Sequence, residues 1–358
     1  MAYSKSFTNL INRIKDSRNE DLNFVGLGNP DAKILFISKE CAIDRSDTRG
    51  KLFYEAEQTL NAKYWDRDIN DIDSYNLPEW FNPSKPYEGA VCVKAIRDED
   101  GSICNNGTTG TWICYQKITD GFFGNVFSEN NNVDFYKDSF ITELSCVENK
   151  YGSYSNATKT SINDRCYELL SDDFYRSFPI VIMNCGRYVK DYDINICKVF
   201  NQKYKTTRKY DDGWMRIYEN DGRILLLTPF LASCPDSYLD RIVRTLRRFV
   251  EKQKLDYCVY YDGSNKSIDK HIFAYYERCW IWQLFLYGEH YENDIKCMNS
   301  FGITNEWIDS FNIPRSLVAL FFNRYMHWAV MGNFDKEAFM HWFEKIRNAE
   351  PSNKQNKS

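Results

Sequence analysis

NFVGLGNPDAKILFISKEC, from Asn23 to Cys41, holds a Gly-x-Gly, an Asn-Pro turn, an apolar run and an acid beside a cysteine. Where the glycines stand relative to the apolar run decides the fold class. A dinucleotide fingerprint puts its glycines after a strand and at the opening of a helix. Here Gly26 and Gly28 precede the run, and Asp31 stands where a third glycine would be. The Gly-Lys-Ser/Thr ending of a phosphate loop is missing as well. The glycines are therefore expected to form a turn that feeds a buried strand over Ala32–Ser38, of the kind found in parallel sheets. Chemistry is then expected past the strand end, at Ser38–Cys41.

Outward from this stretch, residues 1–22 and 51–66 read as helices, and 67–110 as a long loop rich in Asp, Asn, Gly and Pro, with room for a hairpin at Asp100-Gly101. TGTWICYQKITDGFF is helical, Ser139–Ser145 is a second strand, and SINDRCYELLSDDFYRSF is a helix ending before Pro179. Pro179–Gly186 is a third strand. A hairpin at Asn220-Asp221-Gly222 leads into a fourth over Ile224–Leu227, and a helix follows with a capping box from Ser237 to Asp240. Alternating strands and helices predict an α/β sheet, mainly parallel, with helices on both faces. Ligands in such sheets sit beyond the C-terminal strand ends, which here are Ser38–Cys41, Glu143–Ser145, Asn184–Gly186 and Thr228–Phe230. After residue 254 the pattern becomes helical, with starts at Pro314 and Asp335. The expected organisation is an α/β domain over 1–254, a helical module over 255–348 and a disordered polar tail over 349–358.

The chain has 358 residues, 43% hydrophobic and 16% aromatic, with a net charge of −4. Its size suits one large domain with an extension, or two domains. The charge gives no overall attraction to polyanions, although local basic stripes can still bind phosphate. The N-terminal residues read as a polar amphipathic helix rather than a secretory leader, and no apolar run reaches membrane-spanning length, so a cytoplasmic chain with no membrane partner is expected. The 12 cysteines are then reduced thiols. None lies in a C-x-x-C or a Cys/His cluster, so neither a metal nor a cofactor is expected.

The order GNPDAKILFISKEC, FITELS, FPIVIMNCGRY, ILLLTPF and SCPDSYLDRI, over roughly residues 23–250, resembles the uracil-DNA glycosylase superfamily. The resemblance implies a three-layer α/β/α fold and hydrolysis of the N-glycosidic bond of a base flipped out of DNA. Glu40 falls where that family positions water beneath the sugar, with Asp44 a second candidate. Glu143 falls on the base-reading Asn, Gly186 on the third-strand glycine, and Thr228-Pro229-Phe230 on a His-Pro-Ser segment. Three departures stand out. Cys41 replaces a usual Pro, no His occupies the Thr228 position, and the cysteine set of the iron–sulfur branch is missing. GLGNP also resembles the start of peptidyl-tRNA hydrolases, but the segment carrying their catalytic His is absent and the first histidine here is His271.

A carboxylate at Glu40 can orient water and face the positive charge that develops on the sugar. The departing base needs a donor, for which the helix start near Asp236–Leu239, Lys39 and Arg45 are candidates. An ionised Glu143 only accepts hydrogen bonds. It would repel uracil's O4 and accept from an amine such as cytosine N4. The expected substrate is therefore an amino-bearing, cytosine-like and modified base, as in viral DNA, which suggests antiviral defence. Base flipping needs a stacking pocket and a wedge. Trp112 and Tyr115, with Thr228 and Glu143, are the base-recognition candidates, and Phe230 or Leu231 the wedge. Lys203, Lys205, Arg208 and Lys209, interleaved with tyrosines, and Arg241, Arg244 and Arg248 on one helix face supply phosphate contacts, alongside Lys39. The expected partner is single- or double-stranded DNA, and the aromatic helices of the C-terminal module can support self-association. Two other readings stand beside this one. One is a catalytically inactive nucleic-acid-binding protein of the same fold. The other is a Cys41-dependent hydrolase that borrows one of the histidines of the C-terminal module.

Overall fold

A computed structural model describes residues 3–40, 48–72, 75–86, 88–96, 104–147, 155–220, 222–259, 291–311, 315, 318–319, 321–322 and 335–347. Cys41, Asp44, Arg45, the Asp100-Gly101 hairpin, Pro314 and the tail over 349–358 lie outside them. The chain divides into two compact units, Met1–Arg247 and Arg248–Ser358. No helix among the described residues is long and apolar enough to cross a membrane.

The first unit is mixed α/β. Its strands are β1 (Leu27–Gly28), β2 (Ile34–Ser38), β3 (Ser139–Glu143), β4 (Ile180–Met183), β5 (Lys203–Tyr210), β6 (Gly213–Asn220) and β7 (Arg223–Leu227), forming one seven-stranded sheet in the order β1-β3-β2-β4-β7-β6-β5. β3, β2, β4 and β7 are parallel neighbours, whereas β1, β6 and β5 pair antiparallel. The sheet is therefore mixed rather than mainly parallel. The helices are α1 (Lys5–Ile14), α2 (Thr48–Tyr54), α3 (Asn61–Asn70), α4 (Gly110–Phe123), α5 (Asn156–Asp164), α6 (Asp173–Arg176), α7 (Tyr188–Asp191), α8 (Ile196–Phe200) and α9, which begins at Asp236 and runs to Val259.

The central strands form where the sequence is apolar without interruption. Ile34, Leu35, Phe36 and Ile37 are all fully buried, as expected for a strand covered on both faces. Leu35 pairs in register with Phe140, and Phe140 meets Phe7 of α1 edge-on at 6.0 Å. Phe36 points the opposite way and stacks on Tyr115 of α4 at 4.0 Å. Helices therefore pack on both faces. α1 is shorter than the expected 1–22. The Ser4 hydroxyl caps it by accepting from Phe7 N, and Phe7, Leu10, Ile11 and Ile14 make one buried stripe.

Gly26 and Gly28 do more than turn the chain. Leu27–Gly28 is itself a short strand against β3. Gly28 has φ +92°, and a Cβ there would lie 2.5 Å from the Ser139 carbonyl oxygen. Asn61 of α3 accepts from the Val25 and Gly26 amides, and the Trp65 indole donates to the Gly26 carbonyl at 2.9 Å. The glycines let the backbone approach protein rather than phosphate.

Several other expectations change. The helix expected over 51–66 is broken by a wide turn in which Leu60 N donates to Glu55 O at 2.9 Å, and the helix expected before Pro179 has a similar turn, with Leu170 N on Arg165 O at 2.7 Å. Ser237 lies inside α9, and its hydroxyl donates to Asp212 at 2.8 Å, so it is not an N-cap. The basic NQKYKTTRKY segment is largely strand β5. The β6–β7 hairpin forms as expected, with Asn220 opposite Arg223 and Gly222 at φ +74°.

Described elements of the second unit are helical, including Tyr291–Ser300, Asn305–Asp309 and Lys336–Arg347. Asp335 caps the last by accepting from Ala338 N at 3.0 Å. Trp307, Phe311, Phe339 and Phe343 pack ring against ring in its core.

Candidate functional site

The parallel strands end in one polar row. Ser38 pairs with Glu143, Ile37 with Met183, and Met183 with Leu227. One residue further on, Asn184 and Thr228 continue the row Glu143, Ser38, Asn184, Thr228 across four strands. Side chains alternate along a strand, so this row shares the face of Phe36, on which α4 packs. Tyr115 of α4 is 1% exposed, and its hydroxyl donates to Asn184 Oδ1 at 3.1 Å. That bond orients the carboxamide, and Asn184 Nδ2, fully buried, has no partner among the described residues. A buried donor left unpaired costs about 1–3 kcal/mol, a cost that a ligand or water accepting from it would remove.

Glu40 lies two residues beyond the strand. Its Oε1 accepts from the Tyr188 hydroxyl at 2.8 Å, while its Oε2 is buried without a partner among the described residues. Burial raises the Glu40 carboxyl to about 7, against opposing contributions from Tyr188 and Lys39. Near neutral pH it can both give and take a proton, the condition for acid–base work. The neighbouring Lys39 ammonium sits over the rings of Tyr188, at 4.7 Å, and Phe230, at 5.4 Å.

Glu143 is pushed well above the ordinary carboxylate range. Burial is the largest cause, followed by Glu57, with Glu40 adding to it and Arg165 and Gln58 opposing. The shift favours the protonated form, which donates as well as accepts, where the expectation was an ionised, acceptor-only side chain. The wide turn over Glu55–Thr59 brings Glu57 and Gln58 inward, and Gln58 Nε2 donates to Glu143 Oε2 at 3.3 Å. Such turns recur at functional sites. Gln58 also lines a cleft of about 410 Å³ with Glu20, Asp21, Tyr54, Thr59, Cys146 and Val147.

Other expected residues fare differently. Thr228 is in the row, but its hydroxyl donates to the Pro229 carbonyl at 3.0 Å. Leu231 is fully buried and cannot serve as a wedge, whereas Phe230 is half-exposed. The Tyr115 ring is core, not an open stacking face. Trp112 is half-buried, edge-on to Phe135 at 5.1 Å. The basic stripe of β5 is split. Lys203 pairs opposite Glu219, which pairs with Ile224 at the far end of β7 from the polar row, and Lys205 bridges Glu219. Arg208 and Lys209 are exposed at the same end as the row. Arg241 pairs with Asp212 at 3.3 Å and covers Tyr210 at 4.6 Å, while Arg244 is exposed and bonds within its own helix to the Asp240 carbonyl. Asp236, in the first turn of α9, holds Lys117 at 2.7 Å. Of the histidines, His341 is exposed in the second unit, and His271, His290 and His327, like Cys41, lie outside the described residues.

The residues that sequence reasoning did not single out are Asn184, Tyr188, Glu57 and Gln58. A signal existed for Asn184, the polar residue closing an apolar strand one position after Met183. None existed for Glu57 and Gln58, because the wide turn that points them inward has no composition of its own. Comparison with protein-family models, curated proteins and solved structures found no match.

Proposed function

We propose that this protein is a monofunctional DNA glycosylase, hydrolysing the N-glycosidic bond of a flipped, amino-bearing and modified base, in a three-layer α/β/α fold of the uracil-DNA glycosylase type. The observation that carries the reading is Glu40, a half-buried carboxyl just past a parallel strand end with one oxygen held by Tyr188 and the other buried without a partner among the described residues. As a carboxylate, it orients water towards the anomeric carbon and takes the water's proton. Burial favours the protonated form of Glu143, and that form suits the base, since its carbonyl oxygen can accept from cytosine N4 while its hydroxyl donates to N3. Exposed Arg208 and Lys209 beside the row, with Lys39 and Phe230 at the strand ends, supply a place for DNA. Modified bases of viral DNA fit the substrate class and make antiviral defence the natural setting.

The test incubates the protein with oligonucleotides carrying cytosine, modified cytosines or uracil and identifies released bases by mass spectrometry. Glu40→Gln should lower release by about 10²–10⁴-fold. Release by the native protein should rise with pH through about 7 as Glu40 ionises. Preference for uracil overturns the base assignment, and no abasic sites on any substrate overturns the activity.

A second reading, a nucleic-acid binder without catalysis, is favoured by Thr228. Its hydroxyl is spent on the Pro229 backbone, so the position matching the family's His offers the leaving base nothing. DNA binding with no base release would establish it.

A further inference from the structure

We propose that Asn184 is the donor for the 2-carbonyl of a bound pyrimidine, and that during bond cleavage it carries the negative charge which the base takes on leaving. The charge-bearing half rests on the glycosylase reading, whereas the recognition half does not.

Three observations converge on this residue. Its Oδ1 is committed to the Tyr115 hydroxyl, and Tyr115 cannot swing away because its ring stacks on Phe36 with only 17° between planes. The Nδ2 group therefore keeps one direction. It has no partner among the described residues, although Asn184 is 0% exposed. It also lies in the same cross-strand row as Ser38 and Glu143, two strands from the carboxyl that reads the opposite end of the base edge. Two strand spacings are about 9.6 Å, and side chains converging from both ends can span a pyrimidine edge, with the Ser38 hydroxyl between them. Glu143 at one end, able to accept from an amine, and Asn184 at the other, able only to donate from Nδ2, match the N4-amine and 2-carbonyl of a cytosine-type edge.

The reaction balances on these groups. The C1′–N1 bond breaks with its electron pair moving to the base, and the charge spreads to the 2-carbonyl oxygen, where Asn184 Nδ2–H donates. Water adds to C1′ and yields its proton to the Glu40 carboxylate. The base anion takes a proton from solvent after release. A fixed, water-excluded amide donor aimed at a developing oxyanion is worth about 10²–10³ in rate.

Two measurements on the full chain test this. The first compares binding of free cytosine with 4-aminopyrimidine, which lacks the 2-carbonyl, to the native protein and to Asn184→Leu. The native protein should bind cytosine about 10-fold more tightly, and Asn184→Leu should bind the two alike. No preference in the native protein, no binding of either probe, or an equal preference in the variant overturns the proposal. The native-protein comparison needs no substitution, so it stands even if the variant fails to fold. The second measures base release from DNA against leaving-group acidity. Asn184→Leu should lose about 10²-fold on cytosine-type bases and less on 5-fluoro derivatives, whose anions need less help. An equal loss on both overturns the charge-bearing role. Asn184-dependent discrimination of free bases with no base release from DNA would leave recognition standing and remove the glycosylase reading. Base release unaffected at Asn184 would do the reverse.

Discussion

Two buried polar clusters lie side by side in the first unit, and they treat their hydrogen bonds in opposite ways. Arg165 is 0% exposed, yet all three nitrogens of its guanidinium are engaged. Nε donates to the Glu143 carbonyl, Nη1 to the Asp21 carbonyl and the Cys146 sulfur, and Nη2 to the Thr142 hydroxyl. Asp66 is equally well served, accepting from Lys15, Asn70 and Tyr75. Across the strand ends, Glu40 Oε2, Gln58 Oε1 and Asn184 Nδ2 are buried with no partner among the described residues. A scaffold satisfies its buried polar groups because each orphan costs stability. A site leaves some open so that a ligand can complete them. The contrast sets residues that hold the sheet apart from those assigned to the proposed site.

Substitutions on the two sides should therefore have opposite consequences. Arg165→Leu should lower unfolding free energy by about 3–5 kcal/mol in urea titrations, since Asp21, Glu143 and Thr142 each lose a donor at about 1–3 kcal/mol. A loss under about 1 kcal/mol would break the comparison at its scaffold end.

Asp66→Asn should cost about 1–3 kcal/mol near neutral pH. Burial pushes the Asp66 carboxyl up, but hydrogen bonds from Tyr75, Lys15 and Asn70 outweigh it and hold the group below its ordinary value. Its contribution is present above the unfolded value of about 3.9 and is lost as pH falls through the lower folded one. Thermal midpoints of native and variant protein should accordingly converge in acid, and a gap independent of pH would assign the loss to packing instead.

Glu40→Gln should do the reverse and stabilise. The folded carboxyl is raised to about 7, so the native protein loses stability as pH rises from about 4.3, the unfolded value, through about 7. At pH 8 the variant should be more stable by about 1–2 kcal/mol after solvent screening, with no advantage at pH 4. Equal stability at both pH values would mean that Glu40 is not strained by its burial.

The smallest effect concerns the two ends of β5. Lys209→Ala should reduce the slope of log affinity for DNA against log salt by about 1, while Lys203→Ala, at the far end from the polar row, should leave it unchanged. Equal effects would argue that DNA does not lie along the strand ends.

Much of the fold was legible because its signals are local. Uninterrupted apolar runs marked β2, β4 and β7, and Asn-Asp-Gly marked the turn before Arg223. β5 was missed because KYKTTRKY carries no apolar face. It is a strand because β6 pairs with it, and an outer strand needs little burial. The broken helices were missed for the same kind of reason, since a wide turn is set by what it packs against. At the site, strand-end logic found Glu40, Glu143 and Thr228 but could not tell which of their polar atoms stay free.

The amino-acid sequence by itself determined the alternation of strands and helices and the placing of polar residues where buried strands stop, because each depends on neighbours a few residues away. Only the tertiary structure decided that burial pushes the Glu143 carboxyl upward, that Thr228 is spent on backbone, that the basic stripe divides between two ends of the sheet and that Asn184 Nδ2 has no partner among the described residues. Those outcomes depend on burial and hydrogen bonding between residues far apart in the chain. Tyr115 reaching Asn184 and Gln58 reaching Glu143 are contacts that no local pattern encodes.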